Sequence, residues 1–224
     1  MKLNTIYTAD CLEKFSVMDD VSVDYVFTSP PYNRKRNDKY TLYDDTLVDY
    51  KSFLTEVIEQ SMRVSREHVF FNIQKNYYNK VDVFEIIGKF AENIVDIIIW
   101  NKTNPMPASG MNITNAYEFV IVFHKTGKAL KANNTYTKNV VTTNVYSSNP
   151  YRSQHRAVMH PELARKIFAK FMIEGKTVFD PFMGVGTTAV VAKEFSMDYI
   201  GVELVQDYVD IANERLLQES SKFV

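Results

Sequence analysis

The chain has 224 residues, of which 46% are hydrophobic and 24% charged, as expected for a globular protein of one domain. No apolar run approaches the roughly 18 residues of a membrane-spanning helix, and the N-terminus lacks an apolar core of signal-peptide length. The single cysteine, Cys11, excludes an intramolecular disulfide, so we expect a cytoplasmic protein. The net charge of −1 argues against a histone-like binder of polyanions.

Short β-rich runs alternate with amphipathic segments along the chain, which predicts an α/β fold. Strands are predicted, in chain order, at 5–9, 23–28, 69–73, 94–100, 117–123, 177–180 and 199–202. Helices are predicted at 11–17, 49–65, 81–90, 161–174, 187–194 and 206–217. Two polar stretches, 33–45 and about 125–154, do not fit this alternation, and we expect them to be functional loops within a single domain spanning 1–224.

The first motif, FTSPPYN at 27–33, directly follows a predicted strand. Two consecutive prolines fix two φ angles, remove two backbone donors and bias the residues before them towards extended backbone. The pattern predicts a stiff turn that presents Ser29 Oγ, the Pro30 carbonyl and the ring of Tyr32. A Pro-Pro pair by itself more often ends a strand without any further role.

The second motif, DPFMGVGTT at 180–188, lies between a predicted strand and a predicted helix. Glycines let the backbone approach a ligand closely, and a helix N-terminus offers free N–H groups to an anion. Glu203 follows Gly184 by about 20 residues, the spacing of an acidic residue that binds a ribose diol. The loop lacks both the Lys-Ser/Thr of a P-loop and the third small residue of a dinucleotide fingerprint, which favours a different nucleotide-like cofactor.

Together these motifs resemble those of the β-class amino-methyltransferases of DNA. The letters SPPY at 29–32 are similar to the catalytic motif Asp/Asn/Ser-Pro-Pro-Tyr/Phe of that family, and 180–188 resembles its S-adenosylmethionine motif. The catalytic motif precedes the cofactor motif, as in the permuted order of the β class. Segments 9–12, 98–102, 117–123 and 155–163 extend the resemblance, with Arg156 and His160 at positions where proline is usual.

The resemblance implies a doubly wound α/β fold, with a mostly parallel seven-stranded sheet that contains one antiparallel strand. This is a Rossmann-like methyltransferase fold, to which about 125–154 would add a small target-recognition insertion. The implied cofactor is S-adenosylmethionine, and the implied substrate is double-stranded DNA. The implied cofactor-binding residues are Asp10, Cys11, Asp180, Phe182, Gly184, Gly186, Thr187, Thr188 and Glu203. A homodimer and a cognate restriction endonuclease are further possible partners, whereas the four histidines lack the spacing of metal ligands, so no metal ion is expected.

The resemblance also assigns catalytic roles. Ser29 Oγ and the Pro30 carbonyl would accept hydrogen bonds from the exocyclic amine, while Tyr32 would stack on the flipped base. Serine at the first motif position is associated with N4 of cytosine and aspartate with N6 of adenine, so we expect cytosine N4, with adenine N6 as the alternative. Methylation at C5 of cytosine uses a Pro-Cys motif that the chain lacks, so Cys11 is expected to pack beside the cofactor.

Positive charge is concentrated in two segments of this nearly neutral chain. Residues 119–161 contain no acidic residue, and 34–39 contains one, Asp38. We expect both segments to face DNA on the side where the catalytic turn opens, since phosphate contacts need clustered cations. The residues assigned to DNA binding are Arg34, Lys35, Arg36, Lys39, Lys128, Lys131, Lys138 and Arg152.

Three other functions share parts of this pattern. Methyltransferases of RNA or of protein glutamine carry Asn-Pro-Pro-Tyr, but they usually place the cofactor motif first. A nicotinamide-dependent oxidoreductase needs a fuller glycine fingerprint, and a non-catalytic DNA-binding module has no need of an intact SPPY. The permuted order and the intact catalytic motif therefore favour DNA amino-methylation.

Overall fold

The computed structural model describes residues 1–34, 46–145, 149–151 and 158–220, and within these ranges the chain forms eight strands and six helices. The strands are β1 (Thr5–Thr8), β2 (Tyr25–Thr28), β3 (Val69–Ile73), β4 (Ile94–Lys102), β5 (Tyr117–Phe123), β6 (Val140–Thr143), β7 (Thr177–Asp180) and β8 (Asp198–Glu203). The helices are α1 (Cys11–Ser16), α2 (Tyr50–Val64), α3 (Lys80–Lys89), α4 (Pro161–Phe171), α5 (Thr187–Glu194) and α6 (Gln206–Ser220).

The described strands form one sheet in the order β1-β8-β7-β2-β3-β5-β4-β6. β5 runs antiparallel to its neighbours β3 and β4, and the other described strand pairs are parallel. The predicted α/β fold, with a mostly parallel sheet and one antiparallel strand, is confirmed. The predicted count of seven strands is corrected to eight, because β6 pairs with β4 inside the stretch interpreted as a recognition loop.

Helices cover both faces of the sheet, because successive strand side chains point to opposite sides. On β2, Tyr25 and Phe27 pack into the core beneath α4, α5 and α6, whereas Val26 packs into the core beneath α1, α2 and α3. Edge-to-face ring pairs join strand to helix on each side, Phe27 with Phe168 and Phe179 with Phe15, both at 5.4 Å between centroids. Burial on both faces fixes the register of the central strands, and with it the positions of the loops at their ends.

Polar side chains determine where three of the helices begin. Asp10, Asp49 and His160 each accept a hydrogen bond from a backbone N–H two or three residues further on, at 2.8, 3.2 and 3.1 Å. Such caps satisfy donors that the first helical turn leaves free and are worth about 1 kcal/mol each. His160 therefore starts α4 immediately ahead of Pro161, at a position where the resembling family usually has proline.

Candidate functional site

The two sequence motifs lie side by side at the carboxyl edge of the parallel strands. β2 and β7 are neighbouring parallel strands with Val26 opposite Phe179, so the turn after β2 and the loop after β7 leave the sheet together. The hydroxyl of Thr28 donates to Asp180 Oδ1 at 2.7 Å, which ties the end of β2 to the end of β7. Ligands of open α/β sheets bind at this edge, so the sheet itself unites the two motifs.

Asp180 holds the loop after β7 together from beneath. Its buried carboxylate accepts hydrogen bonds from Thr28, from the Thr188 hydroxyl at 2.5 Å and from the Phe182 N–H at 3.0 Å. Burial raises the pKa of Asp180 to about 6, although these three hydrogen bonds oppose the shift. Of the cofactor residues expected from sequence, Asp180 and Thr188 therefore lie beneath the ligand loop in this structure, where they shape it.

The glycine loop has the backbone that its sequence predicts. Gly184 and Gly186 have φ angles of 53° and 84°, in the left-handed region that favours glycine. A Cβ at Gly186 would lie 2.8 Å from the Cβ of Ala212 on α6, so this position has no space for a side chain. Glu203 Oε2 accepts a hydrogen bond from the Gly184 N–H at 2.8 Å, which places the expected ribose-binding carboxylate directly beside the loop.

Asp10 and Cys11 join the same group through β1. The Ala9 N–H donates to the Glu203 carbonyl at 3.0 Å, so the turn into α1 lies beside the end of β8. Asp10 caps α1, and Cys11 is buried in its first turn. Burial, followed by the charge of Asp10, raises the pKa of Cys11 to about 12, so this thiol is unsuited to act as a nucleophile.

Neighbouring side chains hold the turn at 29–32 rigidly. The Tyr32 carbonyl accepts hydrogen bonds from Asn76 Nδ2 at 2.8 Å and Asn79 Nδ2 at 2.9 Å, and the Tyr50 hydroxyl donates to the Pro31 carbonyl at 2.6 Å. No described residue donates to the carbonyl of Pro30. That carbonyl thus keeps its capacity to accept a hydrogen bond from a ligand.

Beneath the turn lies a largely buried polar cluster that we call the Ser29–Glu118 network, formed by Ser29, Tyr32, Asn72, Lys102 and Glu118. Ser29 Oγ lies 2.9 Å from the Tyr32 hydroxyl, which donates to Glu118 Oε2 at 2.8 Å. Asn72 Nδ2 donates to the same hydroxyl at 2.6 Å and to Glu118 Oε2 at 2.7 Å, and the Lys102 ammonium pairs with Glu118 Oε1. Burial and the negative charge of Glu118 raise the pKa of Tyr32 well above its ordinary value.

Four of these contributors were not identified from the sequence: Thr28, Asn72, Lys102 and Glu118. Asn72 and Glu118 are polar residues within otherwise apolar strands, VFFNI and YEFVIVF, and this was a usable signal. A polar residue buried in a strand needs a partner, so it suggests a site. The expected stacking of Tyr32 on a base stays a prediction, and in this structure the Arg34 guanidinium lies 5.4 Å from the centre of the Tyr32 ring.

The basic residues expected to face DNA fall into three groups. Arg34 lies at the catalytic edge, where it donates to the Gln74 side chain at 2.7 Å. Lys128, Lys131 and Lys138 instead lie towards the opposite edge of the sheet. The remaining four, Lys35, Arg36, Lys39 and Arg152, lie outside the described residues.

The direction of β5 explains why Lys128, Lys131 and Lys138 lie away from the expected edge. Because β5 is antiparallel, the chain leaves it at the amino edge of the parallel strands, where the Lys128 carbonyl meets His68 just before β3. Lys138 precedes β6 and accepts a hydrogen bond at its carbonyl from Lys170, near the end of α4. The expectation that the whole acid-free interval faces the side of the catalytic turn is therefore corrected for these three lysines.

Two structural absences complete the description of the site. In the described part of the chain, no group of three histidine, cysteine, aspartate or glutamate side chains is arranged to hold a metal ion. None of the helices described is both long enough and apolar enough to cross a membrane.

Comparison with known proteins agrees with this arrangement. A family model described as DNA methylase matches residues 23–214. The chain is 29% identical to the type II methyltransferase M.HinfI of Haemophilus influenzae, over 96% of this chain and 68% of that protein. It is also 29% identical to the type II methyltransferase M.MwoI of Methanothermobacter wolfeii, over 94% of this chain but only 34% of that longer relative.

Solved structures share the fold. The cytosine-N4-specific PvuII DNA methyltransferase aligns over 97% of this chain and 91% of that one, with a TM-score of 0.76 and 18% identity. The M1.HpyAVI–SAM complex aligns over 95% of this chain and 99% of that one, with a TM-score of 0.67 and 22% identity. At these sequence identities the structural similarity establishes the fold. It does not establish the substrate, which has to be inferred from the residues of the site.

Proposed function

This chain belongs to the N6/N4 family of DNA methylases, and we propose that it methylates the exocyclic amine of a base flipped out of duplex DNA, with N4 of cytosine as the target. One observation carries the proposal: the rigid Ser29-Pro30 turn and the glycine loop are held at adjacent strand ends by the Thr28–Asp180 hydrogen bond. A methyl acceptor and a methyl donor bound at these two places would meet.

The cofactor is S-adenosylmethionine, and the loop after β7 fits such a ligand. Left-handed backbone at Gly184 and Gly186 brings the chain close to it, and α5 begins without a side-chain cap, which leaves N–H groups for an anionic ligand group. Glu203, which accepts from the Gly184 N–H beside the loop, would accept hydrogen bonds from the ribose diol. When bound, S-adenosylmethionine would supply a sulfonium methyl group for transfer to the amine nitrogen, with sulfur keeping the electron pair of the bond that breaks.

The residues of the turn act by positioning and directed hydrogen bonding. The lone pair of a base amine is delocalised into the ring, and acceptors on both of its N–H groups favour a more tetrahedral nitrogen whose lone pair is available. Ser29 Oγ and the Pro30 carbonyl are those acceptors. Neither is a strong base, and neither needs to be one, because the nitrogen becomes cationic and acidic on methyl transfer and releases its proton to water afterwards.

Cytosine is proposed as the base because serine occupies the first position of the motif. The cytosine-N4 specificity named for the structurally similar PvuII enzyme agrees with this choice. Adenine N6 is the alternative, since both bases place an amine beside a ring nitrogen acceptor. Mass spectrometry of nucleosides from plasmid DNA, prepared in a methylation-deficient host and treated with the protein, should detect N4-methylcytosine. Detection of N6-methyladenine would transfer the assignment to adenine, and methylation of neither base would refute the proposed function.

The biological setting is a further part of the proposal. Two relatives are named type II methyltransferases, which supports a role in a restriction–modification system beside a cognate endonuclease. The short recognition segment favours a homodimer on DNA. Light scattering with and without a duplex that carries the methylated sequence would detect that dimer.

A further inference from the structure

A chain of hydrogen bonds runs from Ser29 through Tyr32 to Glu118 on β5. We propose that Glu118, paired with Lys102, is a positioning residue that sets the direction of these hydrogen bonds and thereby keeps Ser29 Oγ an acceptor towards the target amine. This inference rests on the proposed function and explains how the same site is adapted to an amine.

The direction in which each of these hydrogen bonds is donated follows from counting the available protons. An ionised carboxylate can only accept, so the Tyr32 hydroxyl, 2.8 Å from Glu118 Oε2, donates its one proton there. The raised pKa of Tyr32 means that the phenol keeps this proton. Ser29 Oγ lies 2.9 Å from the same phenol oxygen, and with the phenol proton already committed, the Ser29 hydroxyl must be the donor in that contact.

Asn72 reinforces the same direction. Its Nδ2 lies 2.6 Å from the Tyr32 oxygen and 2.7 Å from Glu118 Oε2, so the amide faces both oxygens with its donor side and the phenol oxygen accepts. The opposite orientation of the amide would place its oxygen against a carboxylate oxygen. Asn72 Oδ1 is buried without a hydrogen-bond partner among the described residues, at a cost of roughly 1–3 kcal/mol. That cost is consistent with an amide held for its donors.

The consequence falls on Ser29. Its one proton points to Tyr32, and Asn72 Nδ2 donates to Ser29 Oγ only at the long distance of 3.5 Å, so a lone pair remains for an incoming N–H group. A serine with the reverse direction would present its proton to an amine, and two donors facing each other in a water-poor pocket repel. Hydrogen-bond acceptors of this kind increase the reaction rate by a large factor, because they are already aligned before the reaction.

Lys102 keeps Glu118 able to play this part. Its ammonium pairs with Glu118 Oε1, and both side chains are largely buried, at 12% and 5% exposed. Without this ammonium, Glu118 would be a buried carboxylate without a counter-charge, and its position against Tyr32 and Asn72 would no longer be held.

The test is Glu118→Gln, a substitution of the same shape that removes the charge. Single-turnover methyl transfer to plasmid DNA should fall by roughly 10² to 10³, while the Kd values for S-adenosylmethionine and DNA change little. Glu59→Gln is the matched control, because it breaks the exposed Glu59–Lys89 ion pair on the helical surface and should leave the rate unchanged. An unchanged rate in Glu118→Gln would overturn the inference.

A double variant separates orientation from simple structural support. If Glu118 acts through Ser29, then Glu118→Gln should lower the rate no further in a Ser29→Ala background. A double variant whose loss in rate equals the product of the two single-variant losses would overturn the inference. Should Glu118→Gln fail to fold, Lys102→Met tests the same series of hydrogen bonds. It should show the same loss of methyl-transfer rate and, in the Ser29→Ala background, no further loss. Wild-type protein that methylates no DNA would instead refute the proposed function, so the two failures are distinguishable.

Discussion

At the residue scale, Ser29 is the member of the Ser29–Glu118 network assigned to accept a hydrogen bond from the base amine. It is partly exposed, whereas Asn72 and Glu118 beneath it are buried. Ser29→Ala should therefore lower single-turnover methyl transfer by roughly 10² to 10³ and leave S-adenosylmethionine affinity near its wild-type value. Ser16→Ala, which removes an exposed hydroxyl bonded to the Glu13 carbonyl, is a control that should change neither quantity. Equal rates for wild type and Ser29→Ala would exclude Ser29 Oγ as an acceptor.

Asp180 predicts how stability depends on pH. Its folded pKa of about 6 lies above the usual value of 3.8, so the folded protein binds the proton more tightly than the unfolded chain does. The stability contributed by the protonated form is full below about pH 4 and is lost as pH rises towards 6, by up to about 3 kcal/mol. Asp180→Asn cannot ionise, and urea unfolding between pH 4 and 7 should show this component of the pH dependence removed. An unaltered profile would mean that folding does not raise the pKa of Asp180.

At the scale of elements, the loop between β7 and α5 depends on tight packing against α6. Gly186→Ala would force a left-handed φ of 84° on a residue with a side chain and press its Cβ to 2.8 Å from that of Ala212. We expect a loss of about 2–4 kcal/mol in the free energy of unfolding, together with weaker cofactor binding.

Gly175→Ala separates the two causes of that loss. Gly175 has a similar φ of 74°, but its Cβ would meet nothing within 4 Å, so only the backbone penalty of about 1 kcal/mol applies. Chemical denaturation of both variants gives the comparison. Equal losses would show that α6 moves aside at no cost.

Most elements could be predicted from the sequence because their patterns are local. The bounds predicted for the strands at 69–73, 117–123 and 177–180 agree with β3, β5 and β7. β6 was missed because four residues between polar segments give too little periodicity to distinguish a strand from a loop. The site was predicted where a motif is contiguous, as at Ser29. The meeting of Asn72 with Glu118 depends on the register of β3 against β5, which no local pattern specifies.

At the scale of the whole molecule, the edge of the sheet at which basic residues lie determines whether they can bind the same DNA as the site. Arg34 and Lys75 lie at the edge where the catalytic turn opens, whereas Lys128 pairs with Glu67 towards the other edge. Replacing Arg34 and Lys75 by glutamine should weaken binding to every DNA sequence. The slope of log affinity against log salt should fall by about one for each DNA phosphate that the variant no longer binds.

The triple replacement of Lys128, Lys131 and Lys138 by glutamine is the matched comparison for that prediction. It removes more charge, from the opposite edge, and should leave the salt slope nearly unchanged. Fluorescence anisotropy with labelled duplex at several salt concentrations measures both variants. A larger effect from the three lysines would place the DNA at the amino edge and contradict the arrangement proposed above.

The pairing of β2 with β7 also bears on how such an enzyme can diversify. Neighbouring strands of a sheet are about 4.8 Å apart, and this spacing separates the two motifs whatever their loops contain. Segments that leave the carboxyl edge of the sheet elsewhere, including 103–116 between β4 and β5, can change in length and composition without altering that spacing. New DNA sequence preferences can therefore arise by exchange of loops, while the relative position of the two motifs stays the same.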